Sequence, residues 1–356
     1  MTYANRINDR RLILGPKDDL MAISPMKHTW AKGILDRMEN NTWFPHVVNM
    51  ADDVASYNRL NAADRFMFDK ALAFLSNLDG IQFNNINQNI AKHVTSPEVS
   101  MCLSRQAWEE ALHVKSYATI IETVSLDPMS VYMTFERDGL LAQKNQFILK
   151  QSRLLGEKFS AEGFALSCVS NVLLEGVYFF SGFLSFYLLA DKGEMLGSAD
   201  MIRYIQRDEE GTHLDLFAHM LDTLRHENKD VFTQSFWNKA LEVFLTSSEM
   251  EISWGKYITK GVTNPKAIED YIKHLANLRA EQIQAPFVPY PGVKIHSLGL
   301  SSSLNLIRQK RTSSKPASLT TKLAVLWFGK EELNCKLLIS TSYTSLIKQL
   351  RKVKSK

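Results

Sequence analysis

Cysteine is scarce in this 356-residue chain: Cys102, Cys168 and Cys335 stand far apart and are odd in number. They exclude a disulfide framework or a cysteine-based zinc module, and a reducing cytoplasm is the expected setting. Strand-like alternation is missing, as is any short internal repeat, which excludes sheet and solenoid architectures. No apolar run of the roughly 18 residues needed to span a bilayer stands out. The polar start MTYANRINDRRLILG lacks the apolar core of a signal peptide, so no membrane association is expected. Acidic residues are sparse at one end only. From Lys294 to Lys356 there are 13 Lys+Arg against 2 Asp+Glu, whereas residues 1–293 hold 29 against 36. An acidic body therefore carries a basic tail.

Apolar residues recur at helical spacing through the body. Helices are predicted over 24–40, opened by Ser-Pro; over 61–94, opened by an Asn cap; and over 96–124, with Ser as cap and Pro at the first position. Others follow at about 130–155, 160–190, 197–224, 230–260 and 266–285. Long helices without strands predict an all-α bundle. The Pro-rich PFVPYPGVK closes it, and the Ser/Thr/Lys-biased remainder predicts a weakly ordered segment. The boundaries are a helical domain over 1–294 and an atypical basic tail over 295–356.

Several acids do not suit a helical core. Glu110 and His113 form an E-x-x-H pair, and Glu210 and His213 form a second. Glu175 is the only charge in SNVLLEGVYFFSGFLSFYLLA, a stretch so apolar that it must be buried nearly all round. Asp79 shares a helical face with Leu72, Leu75 and Phe83. A buried, unpaired carboxylate is strongly disfavoured unless it is neutral, paired or bound to a cation. Each acid alone has an ordinary explanation: Asp79 turned to solvent beside Gly80, Glu175 paired with a core arginine, His213 a hydrogen-bonded core histidine. Together they form the known ligand pattern of ferritin-like di-iron and di-manganese carboxylate proteins, one carboxylate from each of two helices and an E-x-x-H pair from each of two more. Four carboxylates offset two divalent cations, and oxygen and imidazole donors without thiolate suit iron or manganese.

Tyr117 lies one turn beyond His113, on the face that carries Glu110. Phe179 and Phe183 lie one and two turns beyond Glu175 and could wall in the phenol. Spacing alone leaves Tyr117 either a core aromatic or a redox residue, and Trp43 either a core anchor or an electron relay.

The segments NNTWFPHVV, NLDGIQ, EEALHVKSY, LLEGVYFF, IQRDEEGTHL and PFVPYPGVK, in this order over residues 15–294, resemble the signature segments of the class I ribonucleotide reductase small subunit. The resemblance implies a di-iron centre, with manganese as the alternative metal, that oxidises a nearby tyrosine. It also implies a homodimer, and a large subunit that uses the stored radical to make deoxyribonucleotides for DNA replication. Carried over by position, the metal ligands are Asp79, Glu110, His113, Glu175, Glu210 and His213. Tyr117 is the radical site, in a pocket of Phe179, Phe183 and Ile205, and Trp43 relays electrons through an acid to His113.

Two departures accompany the resemblance. The family pattern Arg-Asp-Glu-x-x-His is one residue longer here, Arg207 to His213. Counting back from His213 makes Glu210 the ligand and Glu209 the relay acid; counting forward from Arg207 gives those roles to Glu209 and Asp208. The i, i+3 spacing of the other pair favours Glu210, and a one-residue π-bulge would reconcile the registers. The family's acidic, aromatic end is also replaced by the basic STSYTSLIKQLRKVKSK, which suggests a shifted frame or replaced terminus and leaves Tyr343 without a relay role. The alternatives are another ferritin-like di-iron oxidase or iron-storage protein, or a metal-free helical protein whose basic tail binds nucleic acid; the buried acids weigh against the last.

Overall fold

The computed structural model describes residues 3–16, 18, 20–125 and 127–293. The chain divides into a unit Met1–Gly299 and a unit Leu300–Lys356. The basic tail, with Tyr343, lies outside the described residues. Among the described residues there is no strand, and an isolated bridge pairs Ile13 with Val94.

The α-helices among the described residues are α1 (Tyr3–Asn8), α2 (Trp30–Asn40), α3 (Asp53–Arg59), α4 (Ala62–Asn85), α5 (Pro97–Val124), α6 (Pro128–Tyr132), α7 (Thr134–Arg137), α8 (Gly139–Glu157), α9 (Ala161–Leu173), α10 (Phe179–Asp191), α11 (Leu196–Asp208), α12 (Leu214–Glu227), α13 (Gln234–Ile258) and α14 (Pro265–Gln282). A π turn, Leu174–Tyr178, makes one continuous helix of α9 and α10, and a second, Glu209–His213, does the same for α11 and α12. Thus α4, α5 and these two long helices form the central bundle. In it α4 packs on α5 and α10, α10 on α11, and α9 on α12, while α13 and α14 cover one side.

Local chemistry explains most boundaries. Asn61 caps α4 by accepting from the amides of Ala63 and Asp64. The predicted helix over 130–155 is broken because Asp127 caps α6 and Asp138 accepts from Leu140 and Leu141 to start α8 afresh. The helix predicted from Ser24 begins only at Trp30, since the amides of Lys27 and His28 donate to Glu98 instead of entering a helical ladder. Ser96 stands at the N-cap of α5 but makes no side-chain cap bond; its hydroxyl meets Nδ1 of His28 at 2.8 Å.

One helix, Ala161–Asp191, proves long and apolar enough to cross a membrane, contrary to the expectation of none. Its most apolar window is wholly buried, so its hydrophobicity serves the bundle core. Phe83, expected on the buried face with Asp79, is 37% exposed.

Two polar clusters lie away from the central acids. Lys144 and Glu251 form a fully buried ion pair between α8 and α13, with the ammonium over the Phe74 ring. Burial pulls Lys144 down to about 8, with Glu251 opposing. His28 bridges Glu227, at 2.9 Å, and Glu98, at 3.5 Å, fastening the N-terminal segment to α5 and α12.

Candidate metal centre

Asp79 from α4, Glu110 and His113 from α5, Glu175 from one π turn, and Glu209 and His213 from the other converge in the bundle, all 0% exposed. Their donor atoms form two overlapping groups: Asp79, Glu110, His113 and Glu209, then Glu110, Glu175, Glu209 and His213. Within each group the atoms lie within 4.8 Å of one another. Glu110 and Glu209 belong to both groups.

Each imidazole turns Nδ1 inward and Nε2 outward. His113 Nδ1 is 3.1 Å from Glu209 and 3.8 Å from both Asp79 and Glu110. His213 Nδ1 is 2.7 Å from Glu209, 3.3 Å from Glu110 and 4.0 Å from Glu175. The outward nitrogens meet carboxylates, Asp208 at 3.3 Å for His113 and Glu109 at 2.9 Å for His213. This carboxylate–imidazole arrangement fixes ring orientation in metal sites. Arg105 in turn holds Glu109, at 3.1 Å.

Glu210 reaches neither group. The π turn rotates each residue by less than an α-helix does, so in Glu209–His213 the i, i+4 pair takes the place that i, i+3 holds in α5. The residue brought into the cluster is therefore Glu209, the one given by counting forward from Arg207, and not Glu210. Glu210 is partly exposed and faces Arg279. Burial raises its carboxyl, and the guanidinium opposes the rise.

Electrostatically the cluster is under tension. Burial raises the carboxyls of Asp79 and Glu175, and neighbouring Glu110 and Glu209 add to the rise. Both imidazoles are pushed well up, because surrounding carboxylates outweigh the burial that opposes their charge. Glu209 is held well below the carboxylate range: burial works against this, but His213 and His113 prevail.

Both oxygens of Asp79, Oε2 of Glu110 and of Glu175, Oε1 of Glu209 and Nδ1 of His113 have no hydrogen-bond partner. Orphaned donors and acceptors in a dry core carry a large penalty. Pointed at one another, oxygen and imidazole atoms fit a pair of divalent cations. Oε1 of Glu175, in contrast, accepts from both Gln82 and Gln106, the latter at 2.8 Å. This leaves Oε2 facing the group.

Tyr117 is fully buried and its hydroxyl has no partner. Burial, with the charges of Asp79, Glu209 and Glu110, pushes its phenol well up. Phe179, Phe183 and Ile205 are at most 1% exposed, and the two phenylalanine rings stack at 5.9 Å. Trp43 donates to Asp208 at 2.6 Å, and its other side stacks on the partly exposed Tyr204 at 4.9 Å between centroids.

Asp208 was anticipated as a relay acid, but the other partners around the cluster escaped sequence reasoning. Glu109 had a signal, as the first acid of the Glu109-Glu110 doublet, and Gln106 had another, one turn before Glu110 on its face. Tyr204 and Arg279 had none.

A helical bundle with carboxylates and imidazoles from four helices enclosing one buried centre defines the ferritin-like carboxylate–histidine class. Residues 20–288 match the family model described as ribonucleotide reductase, small chain, and the chain belongs to that family, whose enzyme is an oxidoreductase. It is similar to the ribonucleoside-diphosphate reductase subunit beta of Treponema pallidum, 32% identical over 331 residues, covering 90% of this chain and 93% of that one. Among solved structures it resembles the ribonucleotide reductase R2 subunit from Clostridium botulinum, with TM-score 0.77, 32% identity and coverage of 84% and 93%. A putative class I ribonucleotide reductase from Bacillus halodurans gives TM-score 0.72, 27% identity and coverage of 79% and 99%.

Proposed function

We propose that Asp79, Glu110, Glu175, Glu209, His113 and His213 hold two iron or manganese ions, and that Tyr117 is the residue oxidised beside them. Its radical would serve a large subunit that reduces ribonucleotides to deoxyribonucleotides. The observation that carries this reading is the set of inward, partnerless oxygen and nitrogen atoms in a water-excluding core. Bound there, such ions would supply one-electron oxidising power drawn from an oxygen-derived oxidant.

The chain's own residues do the rest. Asp208 and Glu109 fix the two imidazoles with Nδ1 inward, and Gln82 and Gln106 fix Glu175. The phenol of Tyr117 would give up an electron to the oxidised ions and its proton to the carboxylate cluster of Asp79, Glu209 and Glu110 whose charges act on it, and full burial without a hydrogen-bond partner slows quenching of the radical. Phe179, Phe183 and Ile205 form its apolar surroundings. Trp43 and Asp208 relay the electron between the surface and His113, since short hops between redox-capable groups outrun one long transfer. Glu209, the relay acid under the register counted back from His213, would instead help hold the ions, since its donors belong to both groups. The chain acts as a cytoplasmic homodimer.

The test is electron paramagnetic resonance on metal-loaded protein. The parent is expected to show a tyrosyl radical; Tyr117→Phe is expected to show none at equal metal content. A parent that holds two ions and forms no radical would favour a ferritin-like oxidase or iron store instead.

A further inference from the structure

Arg279 is a buried cation on α14 that the proposed chemistry does not use. It is 4% exposed. Its Nε donates to the carbonyl of Gly176 at 3.1 Å, its Nη1 to Gln282 at 3.0 Å, and its guanidinium lies 5.0 Å from the centre of the Phe180 ring. Nη2 has no partner. Gly176 directly follows Glu175 within the π turn. A Cβ at position 176 would stand 2.4 Å from Nε and 2.6 Å from Cδ of Arg279, so the missing side chain is what admits the guanidinium. Such turns bend the helix and redirect its carbonyls, and an inserted side chain can hold them in place.

The guanidinium is also tied toward the other π turn: Gln282, which accepts from Nη1, donates from its amide nitrogen to Asp215 at 3.5 Å, two residues beyond His213. Burial pulls Arg279 below its ordinary value, and Glu210 is the largest charge opposing that pull. Glu210 adjoins Glu209. One buried cation thus stands between the two turns that deliver Glu175, Glu209 and His213, and those turns pack on each other.

We propose that Arg279 is a positioning residue that braces the Leu174–Tyr178 turn against the Glu209–His213 turn and so places Glu175 for the second of the two ions. The inference rests on the two-ion reading above. It separates the two groups. Asp79 and His113 sit on α4 and α5, whereas the contacts of Arg279 are to Gly176, Gln282 and Phe180 and Glu175 belongs to the second group alone. Removing the brace should therefore weaken one ion and spare the other.

The experiment is calorimetric titration of the metal-free full chain with Mn2+, with free Mn2+ counted by paramagnetic resonance. The parent is expected to bind two ions. In Arg279→Met, which keeps the stem but loses the fork, the first ion should bind as in the parent and the second about 10–100-fold more weakly, the usual cost of losing an outer partner of a metal ligand. Gly176→Ala, which displaces the guanidinium without altering its charge, should reproduce that pattern, and Arg279→Lys should weaken the second ion less. If Arg279→Met does not fold, the alanine and lysine variants carry the same comparison. Two unchanged sites, or equal weakening of both with a lowered Tm of the metal-free protein, would overturn the inference. A parent that binds no ion would remove the two-ion reading and the brace with it.

Discussion

Trp43 and Asp208 are joined by a hydrogen bond of 2.6 Å from the indole nitrogen to Oδ2, although 165 residues separate them. The same oxygen lies 3.3 Å from Nε2 of His113. A single carboxylate thus links the buried indole of Trp43 to an imidazole whose other nitrogen faces the carboxylate cluster. Trp43→Phe removes the donor and the more easily oxidised ring. It is expected to leave metal content unchanged and to abolish most deoxyribonucleotide formation with a large subunit. Asp208→Asn should do the same while lowering metal affinity, because it disturbs His113. Paired metal analysis and turnover assays distinguish the two.

The register of the second E-x-x-H segment gives a sharp contrast. Glu209 takes part in both donor groups and Glu210 in neither. Glu209→Gln should cost most of the binding of both ions. Glu210→Gln should retain two ions, with any weakening confined to the second. Mn2+ titration of the two variants side by side decides between the registers, and the reverse result would restore Glu210 as ligand.

Lys144 and Glu251 predict a stability effect away from the metals. Removing one partner of a buried pair strands the other charge, typically costing about 3–5 kcal/mol. Lys144→Met should lower stability by that order in urea unfolding. Lys144→Met combined with Glu251→Leu should recover much of the loss, since two apolar groups leave no charge behind. A double variant as unstable as the single one would contradict this.

His28 predicts a pH effect. Burial opposes its protonation, yet Glu227 and Glu98 outweigh it and raise the imidazole above 6.5. The folded state therefore favours the proton. Its contribution is complete below about pH 6.5 and is lost as pH rises through the folded value. Glu98 runs the other way. It is held down to about 2 from 4.5, with burial opposing and His28 the leading favourable partner, so its contribution is present above 4.5 and fades as pH falls toward 2. The Tm of the parent relative to His28→Gln should decline from pH 6 to 8; a constant difference would mean that His28 is neutral when folded.

The sequence by itself determined the helical class, because long stretches of helical period leave no room for strands. It also determined which helices carry stranded acids. A lone Glu175 among apolar residues is conspicuous in one dimension, since the cost of burying it follows from its immediate neighbours. Asp79, Glu110, His113 and His213 were legible for the same reason. Only the tertiary structure brings Glu209, and not Glu210, into the two donor groups. A π turn changes which residue faces inward, and whether one forms depends on what packs around it. Other contacts around the cluster were hidden: Glu109 beside His213 and Arg279 against Gly176 lie 104 and 103 residues apart in the chain, whereas Asp208 beside His113 was reached only through the family resemblance. Such contacts arise from how helices pack across the bundle, and no periodicity along one helix records them.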